Sequence, residues 1–294
     1  MNQAVAMSRY TTLGTGGPAR CLATPENLDD LAAVLELAKD RELEVITVGL
    51  GSNILVADRG LDALVVRLSG ELATVECRDG VVHAGGGATL AVCLHRAREA
   101  GLGGIEFVCA IPGTVGGGVW MNAGAYGGEI AAVLRRALVV DRGGASWRSP
   151  AELGLSYRRS ALRHGEVVAQ AEFELLETDR AETRATVSEM QSARKTAQPT
   201  NRRTFGSVFK NPEHELSAGR LIDACGLRGH SYGGACISPK HANFIENHGD
   251  ATTADALELI ARARDAVSER FGVTLETEVQ MLGGIDVRSP PDTA

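Results

Sequence analysis

The first third of the chain combines a helical repeat of apolar residues with two short apolar runs. The repeat Leu28, Leu31, Leu35 and Ala38 predicts a helix over about residues 25–40. Thr24 is its expected N-cap, and Pro25 stands at its first position. The runs at 43–48 (LEVITV) and 63–68 (ALVVRL) predict strands, so the order is β-α-β and the loop GLGSNILVADRG leaves the first strand.

The rest of the chain predicts shorter elements. Asp79-Gly80 lies between two strand-like segments and predicts a hairpin over 73–84. The other expected elements are a helix between the triplet Gly85–Gly87 and Gly101, short strands over 133–176, a helix over 179–197, a short helix capped by Ser217, a helix from a Thr252–Asp255 capping box to Gly272, and a strand over 273–282. Residues from Val287 onward are expected to fray. Boundaries near 70 and near 196–201 divide the chain into residues 1–70, 71–197 and 198–294.

Composition adds a glycine excess and an acidic charge. Glycine supplies 35 of 294 residues, roughly 12% against a usual ~7%, so the chain relies on close backbone approach. The net charge of −7 argues against a nucleic-acid partner. The uncharged stretch 107–128 is too rich in glycine for a membrane span. Six cysteines without metal-binding spacing, and no secretory signal, favour free thiols, no metal site and a cytoplasmic location.

Two glycine-dense segments are candidate ligand-binding loops. One is GLGSN at 49–53, and the other is IPGTVGGGVWMNAGAYG at 111–127. Successive glycines can turn several backbone N–H groups into one concavity that binds phosphate oxygens. Two such loops would suit the pyrophosphate of a dinucleotide, whereas the alternative is that the glycines serve turns and close packing. The Rossmann fingerprint is absent because Leu90 replaces its third glycine, and a Walker A lysine is also absent.

A basic segment without acidic residues extends from residue 190 to 212. It carries five cations on an acidic chain: Arg194, Lys195, Arg202, Arg203 and Lys210. Such a segment suits a substrate with phosphates or a carboxylate, and the alternative is a solvated basic face. Ser207 lacks the sequence context of a nucleophile, but its hydroxyl can donate a proton if a cation or carboxyl group assists it.

Two further polar positions lie where strands are predicted. Arg158 belongs to SYRRS, and Glu278 shares the polar side of the last predicted strand with Glu276 and Gln280. Taken alone, both positions are more typical of a protein surface than of an active site.

These segments resemble a known family when they are taken together and in order. TTLGTGGPA, GLGSNILV, IPGTVGGGVWMNAGAYG, LSYRRS, RKTAQP, GSVFKNP, ISPKHANFIEN and LETEVQMLG are similar to the UDP-N-acetylenolpyruvoylglucosamine reductase family over nearly the whole chain. The resemblance implies an α+β protein with a two-part FAD-binding region of the vanillyl-alcohol-oxidase-like (PCMH) type, over 1–70 and 71–197, and a C-terminal α/β substrate-binding domain over 198–294. It also implies NADPH-dependent reduction of UDP-N-acetylglucosamine enolpyruvate to UDP-N-acetylmuramate through bound FAD, in peptidoglycan precursor synthesis.

The resemblance also implies roles for single residues. The expected catalytic residues are Ser207, Arg158 and Glu278. FAD is expected to bind without a covalent link, through Gly49, Gly51, Ser52, Asn53, Ile111, Pro112, Gly113, Thr114, Gly116, Gly117, Asn122, Ala123, Gly124 and Val168. The expected substrate contacts are Lys195, Asn211, Tyr157, Lys210 and His241. Some members of the family have glutamine at the position of His241.

The chain resembles the shorter branch of this family. Between Val168 and Lys195 it has no room for the tyrosine-bearing loop that covers the substrate in the other branch. The expected partners are the UDP-sugar and NADPH, with no nucleic acid, no membrane and a monomeric chain. Two alternatives belong to other classes: a sugar or lactone oxidase that consumes oxygen without NADPH, and a nucleotide-binding module without catalytic activity.

Overall fold

The computed structural model describes residues 2–287, and their contacts form two compact units. Within this range the first unit comprises residues 2–3, 21–50 and 63–194, and the second comprises residues 4–20, 51–62 and 195–287. Each unit therefore combines segments that are distant in the chain. The three-part division expected from composition stays a prediction.

Eighteen strands and seven α-helices are assigned within the described residues. The strands are β1 (Asn2–Ala6), β2 (Pro18–Ala23), β3 (Glu44–Thr47), β4 (Ile54–Val56), β5 (Leu61–Val66), β6 (Val75–Arg78), β7 (Val81–Gly85), β8 (Leu102–Gly103), β9 (Gly124–Ala125), β10 (Gly128–Glu129), β11 (Leu134–Asp141), β12 (Gly144–Arg148), β13 (Val167–Glu174), β14 (Leu176–Glu177), β15 (Ser231–Tyr232), β16 (Ala235–Ile237), β17 (Ile245–Asn247) and β18 (Gln280–Leu282). The helices are α1 (Leu28–Asp40), α2 (Leu90–Glu99), α3 (Val115–Trp120), α4 (Ile130–Val133), α5 (Arg180–Ala197), α6 (Ala218–Ala224) and α7 (Thr253–Phe271).

The first unit is built on a five-stranded antiparallel sheet in the order β12-β11-β13-β7-β6. Its β6–β7 hairpin pairs Arg78 with Val81 across Asp79 and Gly80, whose φ angles are +52° and +74°. The predicted hairpin is therefore confirmed. A second sheet has the order β1-β2-β5-β3, and β3 runs parallel to β5. The predicted β-α-β order does not describe this pair, because α1 precedes β3 and the segment between β3 and β5 contains β4.

Strands β11 and β13 are buried on both faces, which gives the first unit two cores. Ala137, Val139, Ala171 and Phe173 belong to a cluster with α2 and α3. Leu138, Val140, Val167 and Ala169 belong to a cluster with α1, β3 and β5. Successive strand residues point to opposite faces, so one strand can serve two cores.

The second unit packs α6, α7 and the sheet β15-β16-β17 around one core. Leu13 and Leu55, from the N-terminal third of the chain, are buried in this core beside Leu259 and Ile260. The parallel pair β4–β18 also joins an early and a late segment.

Helix ends show which local predictions held. The capping box of Thr252 and Asp255, the left-handed stop at Gly272 and the Ser217 cap are confirmed. The predicted Thr24 cap of α1 is wrong, because Asn27 caps it and its Oδ1 accepts the Asp30 N–H at 2.8 Å. The Pro25 carbonyl instead accepts the Ser69 N–H at 3.0 Å, which places Pro25 in a turn before the helix.

The C-terminal strand is shorter than predicted. Only residues 280–282 of the expected 273–282 form a strand, because the preceding residues pair with a different neighbour. There Glu278 N–H donates to the Val208 carbonyl at 2.8 Å, and Lys210 N–H donates to the Glu276 carbonyl at 2.9 Å. Val287, expected to fray, is buried in the core of the second unit, and the rest of that predicted tail lies outside the described residues.

The cysteines and the helix lengths bear on two expectations from the composition. All six cysteines are free, as predicted. In the described part of the chain, no helix combines the length and the apolar character that crossing a membrane requires.

Candidate active site

The two glycine loops touch each other in the first unit. A Cβ on Gly49 would lie 2.4 Å from Thr114 Oγ1, which is closer than real contacts allow. Thr114 in turn caps α3, because its Oγ1 accepts the Gly117 N–H at 3.3 Å. Gly49 is therefore required for close approach of the first loop to the second.

Three backbone N–H groups of these loops are candidate donors to a ligand. Among residues 2–287, no hydrogen bond pairs the N–H groups of Gly49, Gly113 or Thr114, although Thr114 is buried. Backbone N–H groups of this kind can bind the anionic oxygens of a ligand. A Cβ on Gly113 would meet only Leu90 Cδ1, at 3.7 Å, so there is open space beside Gly113. The residues present fit a bound pyrophosphate.

Other glycines of the motifs serve packing. A Cβ on Gly51 would lie 1.9 Å from the Tyr10 carbonyl oxygen, and one on Gly86 would lie 1.8 Å from the Val168 carbonyl oxygen. One on Gly116 would lie 3.1 Å from the Gly86 carbonyl and 3.2 Å from that of Val168. The packing alternative thus describes these positions, whereas the space beside Gly113 favours a ligand there.

Asn122 is fully buried, with a relative exposure of 0%. Its Nδ2 donates to the Ser156 carbonyl at 3.0 Å, and its Oδ1 accepts the Ala131 N–H at 2.9 Å. The side chain is therefore engaged inside the protein, and the cofactor contact expected for this residue stays a prediction.

Arg158 lies in a tight turn of the first unit. Ser156 and Arg159 exchange two backbone hydrogen bonds of 3.0 and 3.1 Å around it, and its φ is +53°. Arg158 Nη2 donates to the Gly124 carbonyl at 2.5 Å, and the guanidinium carbon lies 5.0 Å from the centre of the Tyr157 ring. Tyr157 is half exposed. The turn thus places a cation and an aromatic ring together.

The second unit brings together three segments that carry predicted site residues. Residues 208–210 pair with residues 276–279, where Phe209 lies opposite Thr277, and the preceding Ser207 lies opposite Phe244. Asn53 Nδ2 donates to the Glu278 carbonyl at 3.2 Å, and Gln280 N–H donates to the Asn53 carbonyl at 3.0 Å. A Cβ on Gly206 would lie 3.4 Å from the Ser52 carbonyl. Ser207 and Glu278 are therefore on neighbouring segments next to the Ser52–Asn53 end of the first loop.

The predicted substrate contacts differ in how far the protein already engages them. Lys210 Nζ lies 2.6 Å from Glu276 Oε1, so its charge is paired. Asn211 Oδ1 accepts the Ala218 N–H at 3.1 Å, next to the start of α6. Lys195 is exposed, and its carbonyl accepts a hydrogen bond from Lys240 Nζ at 2.5 Å.

The hydrogen bonding of His241 favours a neutral imidazole ring with a donor N–H at Nε2. Its Nδ1 accepts the Asn243 N–H at 3.2 Å, which leaves the proton on Nε2. Burial lowers the pKa of His241, and the nearby Arg228 lowers it further. The ring packs edge-on against Phe244.

Two positioning contacts were not predicted from the sequence. Asn243 holds Phe209 through both of its backbone groups, at 2.9 Å to the N–H and 2.8 Å to the carbonyl. Arg67 Nε donates to the Gly49 carbonyl at 3.3 Å. Asn243 lies in the motif ISPKHANFIEN, which offered a signal, whereas Arg67 lies in none.

Comparison with known proteins gives the family. Residues 198–282 match the model described as UDP-N-acetylenolpyruvoylglucosamine reductase, C-terminal domain, and residues 19–148 match an FAD binding domain. UDP-N-acetylenolpyruvoylglucosamine reductase 2 of Symbiobacterium thermophilum is 42% identical over 285 residues, which covers 96% of this chain and 92% of that protein. The chain belongs to the UDP-N-acetylenolpyruvoylglucosamine reductase family.

Further members of the reductase family agree with this assignment. The reductase of Methylococcus capsulatus is 43% identical over 282 residues and covers 94% of this chain and 91% of its own length. The crystal structure of UDP-N-acetylenolpyruvylglucosamine reductase from Thermus caldophilus superposes with a TM-score of 0.84 at 39% identity, covering 95% of this chain and 98% of that one. The family and the FAD-binding domain confirm the α+β flavoprotein oxidoreductase expected from the motifs.

Proposed function

We propose that this chain reduces UDP-N-acetylglucosamine enolpyruvate to UDP-N-acetylmuramate with NADPH, using bound FAD, as a step of peptidoglycan precursor synthesis. The observation that carries the proposal is the pairing of residues 208–210 with residues 276–279 beside Asn53. This pairing brings the segment that follows Ser207 next to Glu278 and to the end of a glycine loop, which supports the roles that the family resemblance implies. The six free cysteines support a reducing compartment, for which we propose the cytoplasm. The monomeric state stays a prediction.

The cofactor supplies hydride chemistry that protein side chains cannot perform. Gly49, Gly113 and Thr114 would bind its pyrophosphate through their backbone N–H groups, because these donors lack acceptors in the described protein and open space lies beside Gly113. Close packing at Gly51 and Gly86 would keep the surrounding backbone rigid, so that the donors are oriented before the ligand arrives. The contacts predicted for the other members of the set stay predictions: Gly51, Ser52, Asn53, Ile111, Pro112, Gly116, Gly117, Asn122, Ala123, Gly124 and Val168.

The enolpyruvyl group needs charge stabilisation and one proton. When hydride adds to the terminal alkene carbon, negative charge develops on the neighbouring carbon and spreads into the carboxylate. Arg158 would bind this carboxylate, and Glu278 in its protonated form would donate a hydrogen bond to it. Ser207 would then deliver the proton to the neighbouring carbon, a role that typically contributes ~10²–10⁴ in rate.

The UDP portion would bind to cations and amide groups of the basic segment. Lys195 is exposed and suits a phosphate, and the Nε2–H of His241 is a neutral donor. Lys210, Asn211 and Tyr157 complete the proposed substrate contacts.

Replacing Ser207 tests this proposal. In Ser207→Ala, rapid-mixing absorbance should show normal bleaching of the flavin by NADPH but reoxidation by the enolpyruvyl substrate slowed by ~10²-fold or more. Ser231→Ala is the matched control, because Ser231 is exposed in β15 of the same unit, and both of its half-reactions should match the wild type. Equal impairment of both half-reactions, or of neither, contradicts the role of Ser207. Reoxidation by oxygen alone as the main reaction would favour the oxidase alternative.

A further inference from the structure

Asn122 is a buried polar residue to which the proposed reaction assigns no chemical step. It has no exposed surface and adopts a φ of +42°, in the left-handed region. Its backbone N–H already donates to the Val119 carbonyl at 3.1 Å at the end of α3. Asparagine tolerates this backbone conformation better than most residues do.

Its side chain connects the second glycine loop to the turn that carries Arg158. The amide Nδ2 donates to the Ser156 carbonyl, and Oδ1 accepts the Ala131 N–H, so each end of the amide is used. Ser156 is one of the two residues that close the turn around Arg158. A second link lies nearby, from Arg158 Nη2 to the Gly124 carbonyl.

These two links hold the arginine at both ends. The Asn122 amide fixes the backbone at the start of the turn, and the Gly124 carbonyl fixes the guanidinium group. The left-handed φ of Arg158 is unfavourable for an arginine and persists only where its surroundings impose it. All of these residues belong to the first unit.

We propose that Asn122 is a positioning residue that orients Arg158 toward the substrate carboxylate by holding the Ser156–Arg159 turn. The part of this inference that concerns substrate binding by Arg158 rests on the proposed function. The part that concerns the position of the turn does not. Asparagine is suited to it because the task needs one donor, one acceptor and a left-handed backbone. Aspartate has no donor for the Ser156 carbonyl when it is ionised, and glycine keeps only the backbone.

The test uses Asn122→Gly and Asn122→Asp in the FAD-bound protein. In both, reoxidation by the enolpyruvyl substrate should slow by ~10–100-fold, because a displacement of about 1 Å costs this much in a positioned site. Bleaching by NADPH and FAD content should stay close to the wild type. In Asn122→Asp the slow step should recover as the pH falls, since a protonated carboxyl regains the donor to Ser156.

A double variant separates positioning from general damage. Asn122→Gly combined with Arg158→Lys should reoxidise no more slowly than Arg158→Lys alone, because the lost interaction acts through Arg158. Asn247→Asp is the matched control: Asn247 is also a buried amide, donating to the Leu13 carbonyl and accepting the Gly249 and Ala251 N–H groups. It should lower thermal stability without changing the ratio of the two half-reaction rates.

Amide hydrogen exchange tests whether Asn122 holds the Ser156–Arg159 turn, and it requires no measurement of enzyme activity. In Asn122→Gly the backbone of residues 156–159 should exchange faster than in the wild type, while α1 stays unchanged. Unchanged exchange there overturns the proposal. Additive effects of the two substitutions in the double variant also overturn it. If Asn122→Gly does not fold, Asn122→Asp replaces it, and equal slowing of both half-reactions in that variant overturns the proposal. A wild-type protein inactive in either half-reaction refutes the proposed function, and exchange alone then decides the role of Asn122.

Discussion

Adding a methyl group at Gly113 tests whether the open space beside this residue belongs to a ligand. A Cβ at this position meets only Leu90 Cδ1, at 3.7 Å, which is ordinary van der Waals contact. The φ of Gly113 is not in the left-handed region, so alanine causes no backbone strain there. The apoprotein of Gly113→Ala should therefore unfold within about 0.5 kcal/mol of the wild-type apoprotein.

The same methyl group should weaken FAD binding. It would enter the space beside the N–H groups of Gly113 and Thr114, where the pyrophosphate is proposed to bind. Hydrogen bonds to charged groups contribute about 1.5–3 kcal/mol each, so losing the geometry of one raises the Kd about 10- to 100-fold. Titration of the apoprotein with FAD, followed by flavin fluorescence, measures this directly.

Gly49→Ala is the comparison variant, because its methyl group would collide with the protein itself. Its Cβ would lie 2.4 Å from Thr114 Oγ1, so the Thr114 cap of α3 must shift, at a cost of about 1 kcal/mol in the free energy of unfolding. This variant should lose both apoprotein stability and FAD affinity. A Gly113→Ala protein that binds FAD with the wild-type Kd would refute the ligand interpretation of this space.

Two further predictions concern charged side chains. Lys195→Ala should raise the KM for the UDP-sugar with little change in kcat. The control is Lys39→Ala, in the exposed Lys39–Glu36 pair of α1, which should change neither constant. An unchanged KM in Lys195→Ala would show that Lys195 does not bind the phosphates. The hydrogen-bonded Arg136 lowers the pKa of the buried Glu172, so this pair stabilises the fold at neutral pH and loses that contribution as pH falls through the lowered pKa. The thermal stability advantage of the wild type over Glu172→Gln should therefore be full at pH 7 and should decline as pH falls below the ordinary glutamate pKa of about 4.3. An advantage that stays constant as the pH is lowered through this acid range would contradict the reasoning.

Local signals in the sequence predicted those elements that depend on a few neighbouring residues. The capping box of Thr252 and Asp255, and the hairpin at Asp79-Gly80, need only residues within one turn, and both were confirmed. The start of α1 was missed because Thr24 and Asn27 are both good N-caps. The choice depends on the hydrogen bond from Ser69 to Pro25, which joins residues distant in the sequence.

The roles of individual residues in the candidate site also could not be predicted without the tertiary structure. The sequence motifs indicated which residue types to examine, but they did not distinguish glycines that face open space from those that pack against a carbonyl. Gly113 and Gly51 lie in similar motifs, yet a methyl group at Gly51 would meet the Tyr10 carbonyl oxygen at 1.9 Å. The motif likewise did not show that Asn122 is fully buried, since burial is a property of the folded chain.

The long-range make-up of the second unit has a consequence for biosynthesis. Strand β18 pairs with β4, and Leu13 and Leu55 belong to the same core as α7, so this unit needs the N-terminal segments as well as the last hundred or so residues. During synthesis on the ribosome, residues 4–20 and 51–62 therefore cannot reach their native packing until the C-terminal part of the chain has been translated. A gene fragment encoding only residues 198–282 would yield a product with an unpaired β18 edge and gaps where two leucines belong, and such a product is prone to aggregate.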